Sequence, residues 1–174
     1  PIAITLSPLI QIAGIKSVRI STQQALSGGG RMLLARGRTG RHISSEIPGE
    51  AESIVTELTK IMSSEFDIEA FCERVMRDHG HYARIEVEFE DQVSAHQVIR
   101  AWRESYSRSQ ELNLPSAAKR PIIFVDGELD DDHRWGGFEE IEHPAHDLKA
   151  AMAVAVGEVE IEGSSLRFSL MADN

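Results

Sequence analysis

The sequence has one cysteine, Cys72, in 174 residues. No disulfide can close within the chain, and such sparing use of cysteine suits a reducing cytoplasm. No apolar run approaches the roughly 18 residues needed to cross a bilayer. The start, Pro1 to Leu6, has no basic stretch and runs into Ser7-Pro8, which does not read as a secretory signal. Internal repeats, low-complexity tracts and a linker-like composition shift are also missing. One domain with enough chain to bury a core is therefore expected over residues 1–174.

Negative charge is missing from the first quarter of the chain. Lys16, Arg19, Arg31, Arg36, Arg38 and Arg41 all precede the first acid, Glu46. The other 12 basic and 28 acidic side chains give residues 46–174 a charge of −16, within an overall −10. That balance argues against non-specific nucleic-acid binding by the whole surface but leaves room for a local basic site. The chain divides by charge into a basic segment 1–45 and an acidic body 46–174. A basic, glycine- and hydroxyl-rich segment on an acidic body is where an anion is expected to bind.

Periodicity supplies the elements. Val18 and Ile20 alternate with Arg19 and Ser21, which predicts a strand over 15–21. Gly28-Gly29-Gly30 predicts a turn, with a second short strand over 31–35 closing a hairpin. Pro48 opens a helix whose apolar face is Ala51, Ile54, Val55, Leu58, Ile61 and Met62. Asp67 is read as the cap of a second helix with Ile68, Phe71, Cys72, Val75 and Met76 inward and Gly80 at its end. Ile85, Val87 and Phe89 alternate with charged residues over 83–89, a half-buried strand. A helix is predicted over 93–112, with Trp102 and Tyr106 in the core, then an apolar strand over 121–125 and a helix over 144–154. Strands over 156–161 and 166–171 flank Gly163-Ser164-Ser165 as a hairpin. The fold class is α+β: a single domain with a mixed or antiparallel sheet packed with three to four helices.

The candidate ligand-binding residues lie in the basic segment: Arg19, Arg31, Arg36, Arg38, Arg41, His42 and Ser44. Arginine offers a planar fork matching carboxylate or phosphate oxygens, and glycine N–H groups add donors. There is no Gly-Lys-Ser/Thr, so this is not a phosphate loop of the P-loop kind. The acidic stretch Asp126 to His133 lacks the spacing of a calcium loop and reads as solvated. His79, His81, His143, His146 and Asp147 lack the partners of a zinc site and read as surface residues, so no metal is expected. Pro1 is read as a residue exposed by loss of an initiator methionine rather than as a catalytic base. Cys72, on an apolar face with no base beside it in sequence, reads as a buried small hydrophobe.

Ser17-Val18-Arg19-Ile20, then Gly40-Arg41-His42-Ile43-Ser44 and Gly49-Glu50-Ala51-Glu52-Ser53-Ile54-Val55, resembles the start of the 6-carboxyhexanoate–CoA ligases. The likeness spans residues 15–90 and puts Arg19, Arg41, His42 and Ser44 at matching positions. It implies an acyl-activating enzyme using ATP and magnesium through an acyl adenylate. The chain departs from that family in the wedge Ser45-Glu46-Ile47-Pro48, and residues 92–174 do not match the family's later half. The leading expectation is thus a cytoplasmic protein binding a small anion, nucleotide or carboxylate, through a basic loop. The rivals are a non-catalytic homo-oligomeric assembly protein and nucleic-acid binding through the same arginines.

Overall fold

Strand alternation sets the architecture. Val18 and Ile20, the series Ala83, Ile85, Val87 and Phe89, and the series Leu166, Phe168 and Leu170 are all buried, while the residues between them are polar. Each strand thus has one apolar side, and hydrogen bonding the strands side by side makes one apolar sheet face. The computed structural model describes residues 1–63, 65–135 and 152–173. Within them, β1 (Ile15–Gln24), β2 (Asp67–Arg74), β3 (His81–Phe89), β4 (Ile122–Phe124), β5 (Val154–Glu162) and β6 (Ser165–Ala172) form one sheet in the order β2-β1-β3-β6-β5-β4. β1 runs parallel to β2 and antiparallel to β3, β4 runs parallel to β5, and the rest pair antiparallel. The fold is α+β with a mixed sheet.

The apolar face is covered by α1 (Ile2–Ile10), α3 (Glu50–Met62) and α4 (Ala95–Arg103). Ser94 starts α4 with a reciprocal cap: its hydroxyl accepts from the Gln97 N–H, and the Gln97 side chain accepts from the Ser94 N–H. α4 aims Trp102 at the centre of the layer. The indole N–H donates to the carbonyl of Thr5 at 2.9 Å, and the ring lies 4.9 Å from that of Phe168. One side chain thus joins α4, α1 and β6.

Three expectations fail here, and a fourth lies mostly outside the described residues. Residues 31–35 are not a strand. Gly28 and Gly29 lie in a 3₁₀ turn (Leu26–Gly29), and α2 (Gly30–Arg38) follows it. Residues 67–76 are not a helix, because β2 pairs along its length with β1; Phe71 and Met76 are consequently exposed. The helix expected over 93–112 stops at Arg103, and a new cap at Ser107 begins the short α5 (Arg108–Glu111), leaving Tyr106 exposed. The helix expected over 144–154 falls mostly outside the described residues, as do His143, His146 and Asp147, and Val154 already belongs to β5.

The second sheet face carries no helix layer among the described residues. Its β5 end is closed by the segment before and including a 3₁₀ turn (Asp131–Trp135), and a bulge makes room for it. Gly157 lies so near this segment that a Cβ there would sit 2.9 Å from the Gly127 carbonyl oxygen. Glu158, at φ 53°, turns its carboxylate to accept from Tyr82, Ser169 and the Leu129 N–H.

Changing Trp102 to Phe keeps the apolar bulk but leaves the Thr5 carbonyl without its buried donor, which is expected to cost about 1–3 kcal/mol. Urea unfolding measures this; an unchanged midpoint would show that Trp102 does not tie the helix layer together.

Candidate functional site

The alternation that builds the core also places polar groups on the helix-covered face where the strands end. Two residues before Ala83 on β3 comes His81; four after Ile20 on β1 comes Gln24; four after Ala70 on β2 comes Arg74. The register aligns them. Gln24 pairs with Arg74 on one side and with His81 on the other, and His81 pairs with Ala172. Strands lie about 4.8 Å apart, so the Arg74 and His81 backbones stand roughly 10 Å apart with Gln24 between them.

The helix α3 begins at this row. Gln24 donates its side-chain amide to Glu50, in the first turn of α3, at 3.2 Å. Arg74 donates through Nη1 to the carbonyl of Ala25, and its backbone N–H donates to Ser45. Gly49 caps α3 at φ 78°, and Pro1 precedes α1; neither offers a side-chain acceptor to the first-turn N–H groups. α3 therefore brings first-turn N–H groups without a side-chain cap, that of Glu50 being taken by the Ile47 carbonyl, and the positive end of its dipole toward the guanidinium. Glu50 sets one negative charge against them.

Burial pushes the His81 imidazolium below the ordinary 6.5, and Arg74 pushes the same way against Glu50 and Asp173. His81 is thus a neutral imidazole near pH 7, able to accept or release a proton. Cys72 shares the inner face of β2, but burial raises its pKa, against a hydrogen bond to Thr22, and Glu50 and Glu52 raise it further. It stays a thiol. The loop joining Arg74 to His81 is held from two sides. Leu26 and Ser27 donate to the carbonyls of Arg77 and Asp78, Arg38 pairs with Asp78 at 2.7 Å, and Arg77 pairs with Asp131 at 3.3 Å.

The residues singled out in the basic segment do not gather at this row. Arg19 stands on the opposite sheet face, paired with Glu69 and Glu86. Arg31 and Arg36 are exposed on α2, Arg38 is tied to Asp78, and Arg41 and His42 are exposed on the loop after it. The Ser44 hydroxyl accepts from the Glu46 N–H. Among the described residues no three His, Cys, Asp or Glu side chains are grouped to hold a metal ion. No described helix is long and apolar enough to cross a membrane. Arg74 was passed over because β2 read as a helix, and His81 because it read as a surface residue. The signal was in the strand period: carrying the inner row of β3 back one step from Ala83 lands on His81.

No family model matches the chain. It is 28% identical to an aspartate-semialdehyde dehydrogenase of Methanothermobacter thermautotrophicus over 99% of its own length and 51% of that protein. It is 26% identical to a malonyl CoA reductase (NADP) of Metallosphaera sedula, again over 99% of itself and 50% of the relative. The chain spans about half the length of the relatives it matches. Its fold is that of part of aspartate semialdehyde dehydrogenase II from Vibrio cholerae (TM-score 0.71, 19% identity, 99% of this chain and 54% of that one). An enzyme from Candida albicans solved with NADP is similar to the same degree (TM-score 0.71, 22% identity, 98% and 49%).

These relatives run along the whole chain, whereas the 6-carboxyhexanoate–CoA ligase likeness rests on residues 15–90. The ligase reading is overturned, and with it ATP-dependent acyl activation through a basic glycine–arginine loop and its two rivals. The physical reason lies in the fold: Arg19 is on the outer sheet face while Arg41, His42 and Ser44 are on a separate loop, so the matching residues form no common site.

The lowered His81 pKa has a sign. The unfolded chain takes up a proton as pH falls through 6.5, while the folded histidine resists it, so folding stability drops on acidification. Urea titrations at pH 7.5 and 5.5 are expected to show a smaller pH loss in His81→Gln than in the unaltered chain. Equal losses would mean that His81 is not held in its neutral form.

Proposed function

We propose that this chain is the substrate-handling half of a dehydrogenase or reductase that interconverts an aldehyde and an activated acyl group on a short carboxylate-bearing substrate. The observation that carries this is the row Arg74–Gln24–His81 beside the N-terminus of α3, which has no side-chain cap. The relatives' names support it. Aspartate semialdehyde and malonyl CoA each carry a carboxylate a few bonds from a reactive carbonyl, the separation a guanidinium and an imidazole on one row can span.

Each group has a role. Arg74 forks the substrate carboxylate with the help of helix N–H donors. Its own bond to Ala25 fixes the guanidinium, so little side-chain entropy remains to be lost on binding. Neutral His81 takes up a proton from the reacting group, and as imidazolium returns it. Gln24 sits between them and orients Glu50. Glu50 is a counter-charge for a substrate ammonium group, the feature that separates an amino-acid semialdehyde from a malonyl substrate.

The described residues lack the glycine fingerprint of a dinucleotide-binding fold. β1 and β2 are parallel strands joined through α2 and α3, and Gly28-Gly29-Gly30 follows β1. Leu33, however, stands where the dinucleotide fingerprint has its third glycine, and α2 packs chiefly on the 3₁₀ turn rather than on the sheet. The role proposed for this chain is therefore confined to holding the substrate and moving its proton.

Titrating the chain with malonate or aspartate while following the His81 ring by NMR tests this. Arg74→Ala is expected to weaken binding by about tenfold or more, the equivalent of about 1.4 kcal/mol. His81→Asn is expected to keep binding within a few-fold, because its role is proton transfer. Equal affinity with and without Arg74, or shifts confined to α2, would defeat the proposal.

A further inference from the structure

His81 stands between two residues that are held from the far side of the sheet. Gly80 precedes it, and Tyr82 follows it in β3. The alternation that turns His81 to the helix-covered face turns Tyr82 to the other. There the Tyr82 hydroxyl donates to one oxygen of Glu158 at 2.9 Å, and the Ser169 hydroxyl donates to the same oxygen at 2.6 Å. The two hydroxyls lie 2.8 Å apart, and Ser169 is fully buried. The second Glu158 oxygen accepts from the Leu129 N–H at 3.3 Å. Burial pushes the Glu158 carboxyl up, but the two hydroxyls, the N–H and the Arg84 charge outweigh it and hold it below the ordinary 4.5.

Glu158 does this from an unusual backbone. Its φ of 53° lies in the left-handed region, at the bulge between Gly157 and Glu160. Such strain persists only where the surroundings fix it. The surroundings here include one segment clipped to β5 at three points. The Val125 N–H donates to the Val156 carbonyl, the Glu158 N–H to the Gly127 carbonyl, and the Leu129 N–H to the Glu158 side chain. Two of the three clips are on Glu158.

Beyond the clips the segment reaches the loop before His81. Asp130 closes the 3₁₀ turn by accepting from the Asp132 and His133 N–H groups. Asp131 pairs with Arg77 at 3.3 Å. Arg134 lies 4.7 Å from the Trp135 ring and packs on Gly80, where a Cβ would sit 3.6 Å from its Cδ. The Arg134 Nε is buried with no hydrogen-bond partner among the described residues, so it brings bulk to Gly80 and not a bond. Gly80 has φ 89°, a conformation natural to glycine, and is the last link before His81. Its freedom is what Arg134 limits.

We infer that Glu158 is a positioning residue for His81: it clips segment 125–135 to the sheet, which sets Arg134 on Gly80, and it anchors Tyr82 directly. Both chain neighbours of the imidazole are thereby fixed from the outer face. The functional meaning rests on the proton-transfer role proposed for His81, but the positioning does not.

Ring titration of His81 by NMR, with no ligand added, tests this, together with amide exchange at His81 and Tyr82. Arg74, Glu50 and Asp173 are the charges that act on His81 from its own face, and none of them bonds to Glu158. Glu158→Ala is expected to raise the His81 pKa toward the ordinary 6.5, because a loosened strand end admits water. Loss of the Glu158 charge alone would lower it, so the expected change has the opposite sign to a through-space effect. Amide exchange at both residues should quicken by about tenfold or more. Glu158→Gln keeps an oxygen acceptor and should stay near the unaltered chain in both readouts. Arg134→Ala breaks no hydrogen bond and should also quicken exchange; it is read by exchange alone, since losing its charge raises the pKa as well. A lowered melting temperature with both His81 readouts unmoved would make Glu158 only a structural tie and overturn the inference. If Glu158→Ala does not fold, unchanged exchange in Arg134→Ala overturns it instead. The malonate titration can fail without touching this result, because no ligand takes part in it.

Discussion

The register of β1 against its two neighbours is the constraint on which the site depends. Gln24 faces Arg74 and His81 only because Val18 faces Ile68 and Val87. A slip of one residue would turn Val18 and Ile20 to the outer face and carry Gln24 with them. The burial that fixes the register is large, because Val18, Ile20, Ile85 and Val87 are all almost fully enclosed. The polar row at the strand ends thus inherits its alignment from apolar pairs several residues away, and the hydrophobic core is what makes the arginine and histidine preorganised.

The helix layer adds the second half of that alignment. α1 and α3 lie on the same face because that is where the apolar rows are, and α3 begins at the end of the sheet where the polar row stands. Trp102 decides how closely α1 can approach, since its buried indole needs the Thr5 carbonyl and Thr5 in turn bonds to Ile2. The start of α1 is therefore held by a core interaction as well as by its own backbone.

How much of this was legible in the sequence follows from period and context. β3, the β5–β6 hairpin and α3 were legible because each repeats its pattern long enough to exclude the alternative. Ile61 was misplaced only in being exposed. β2 was not legible. Ile68, Phe71, Cys72, Val75 and Met76 satisfy helical spacing, and the alternation Ile68, Ala70, Cys72, Arg74 is just as good. The choice between them was made by parallel pairing with β1, which no local pattern contains. α2 failed in the opposite direction. Three glycines suggested a turn and a returning strand, but Met32, Leu33, Leu34 and Ala35 are strong helix formers with no partner strand to overrule them. Arg74 and His81 were lost with β2, because a residue's face is defined only once its element is known.

Charge at the sequence level also behaved differently from charge in the fold. The six basic residues before Glu46 looked like one patch, yet β1 lies between β2 and β3 inside the acidic body, so the division at residue 45 is not a spatial one. Arg19 is absorbed by Glu69 and Glu86, and Arg38 by Asp78. Lys16, Arg31, Arg36 and Arg41 make no ion pair among the described residues. The arginine that sits at the polar row, Arg74, comes from the acidic body, where its charge is outnumbered in sequence but stands beside the N-terminus of α3 in space. A short motif match weighs neighbours along the chain; the strand register weighs neighbours across it. A carboxylate approaching this protein meets only the second kind.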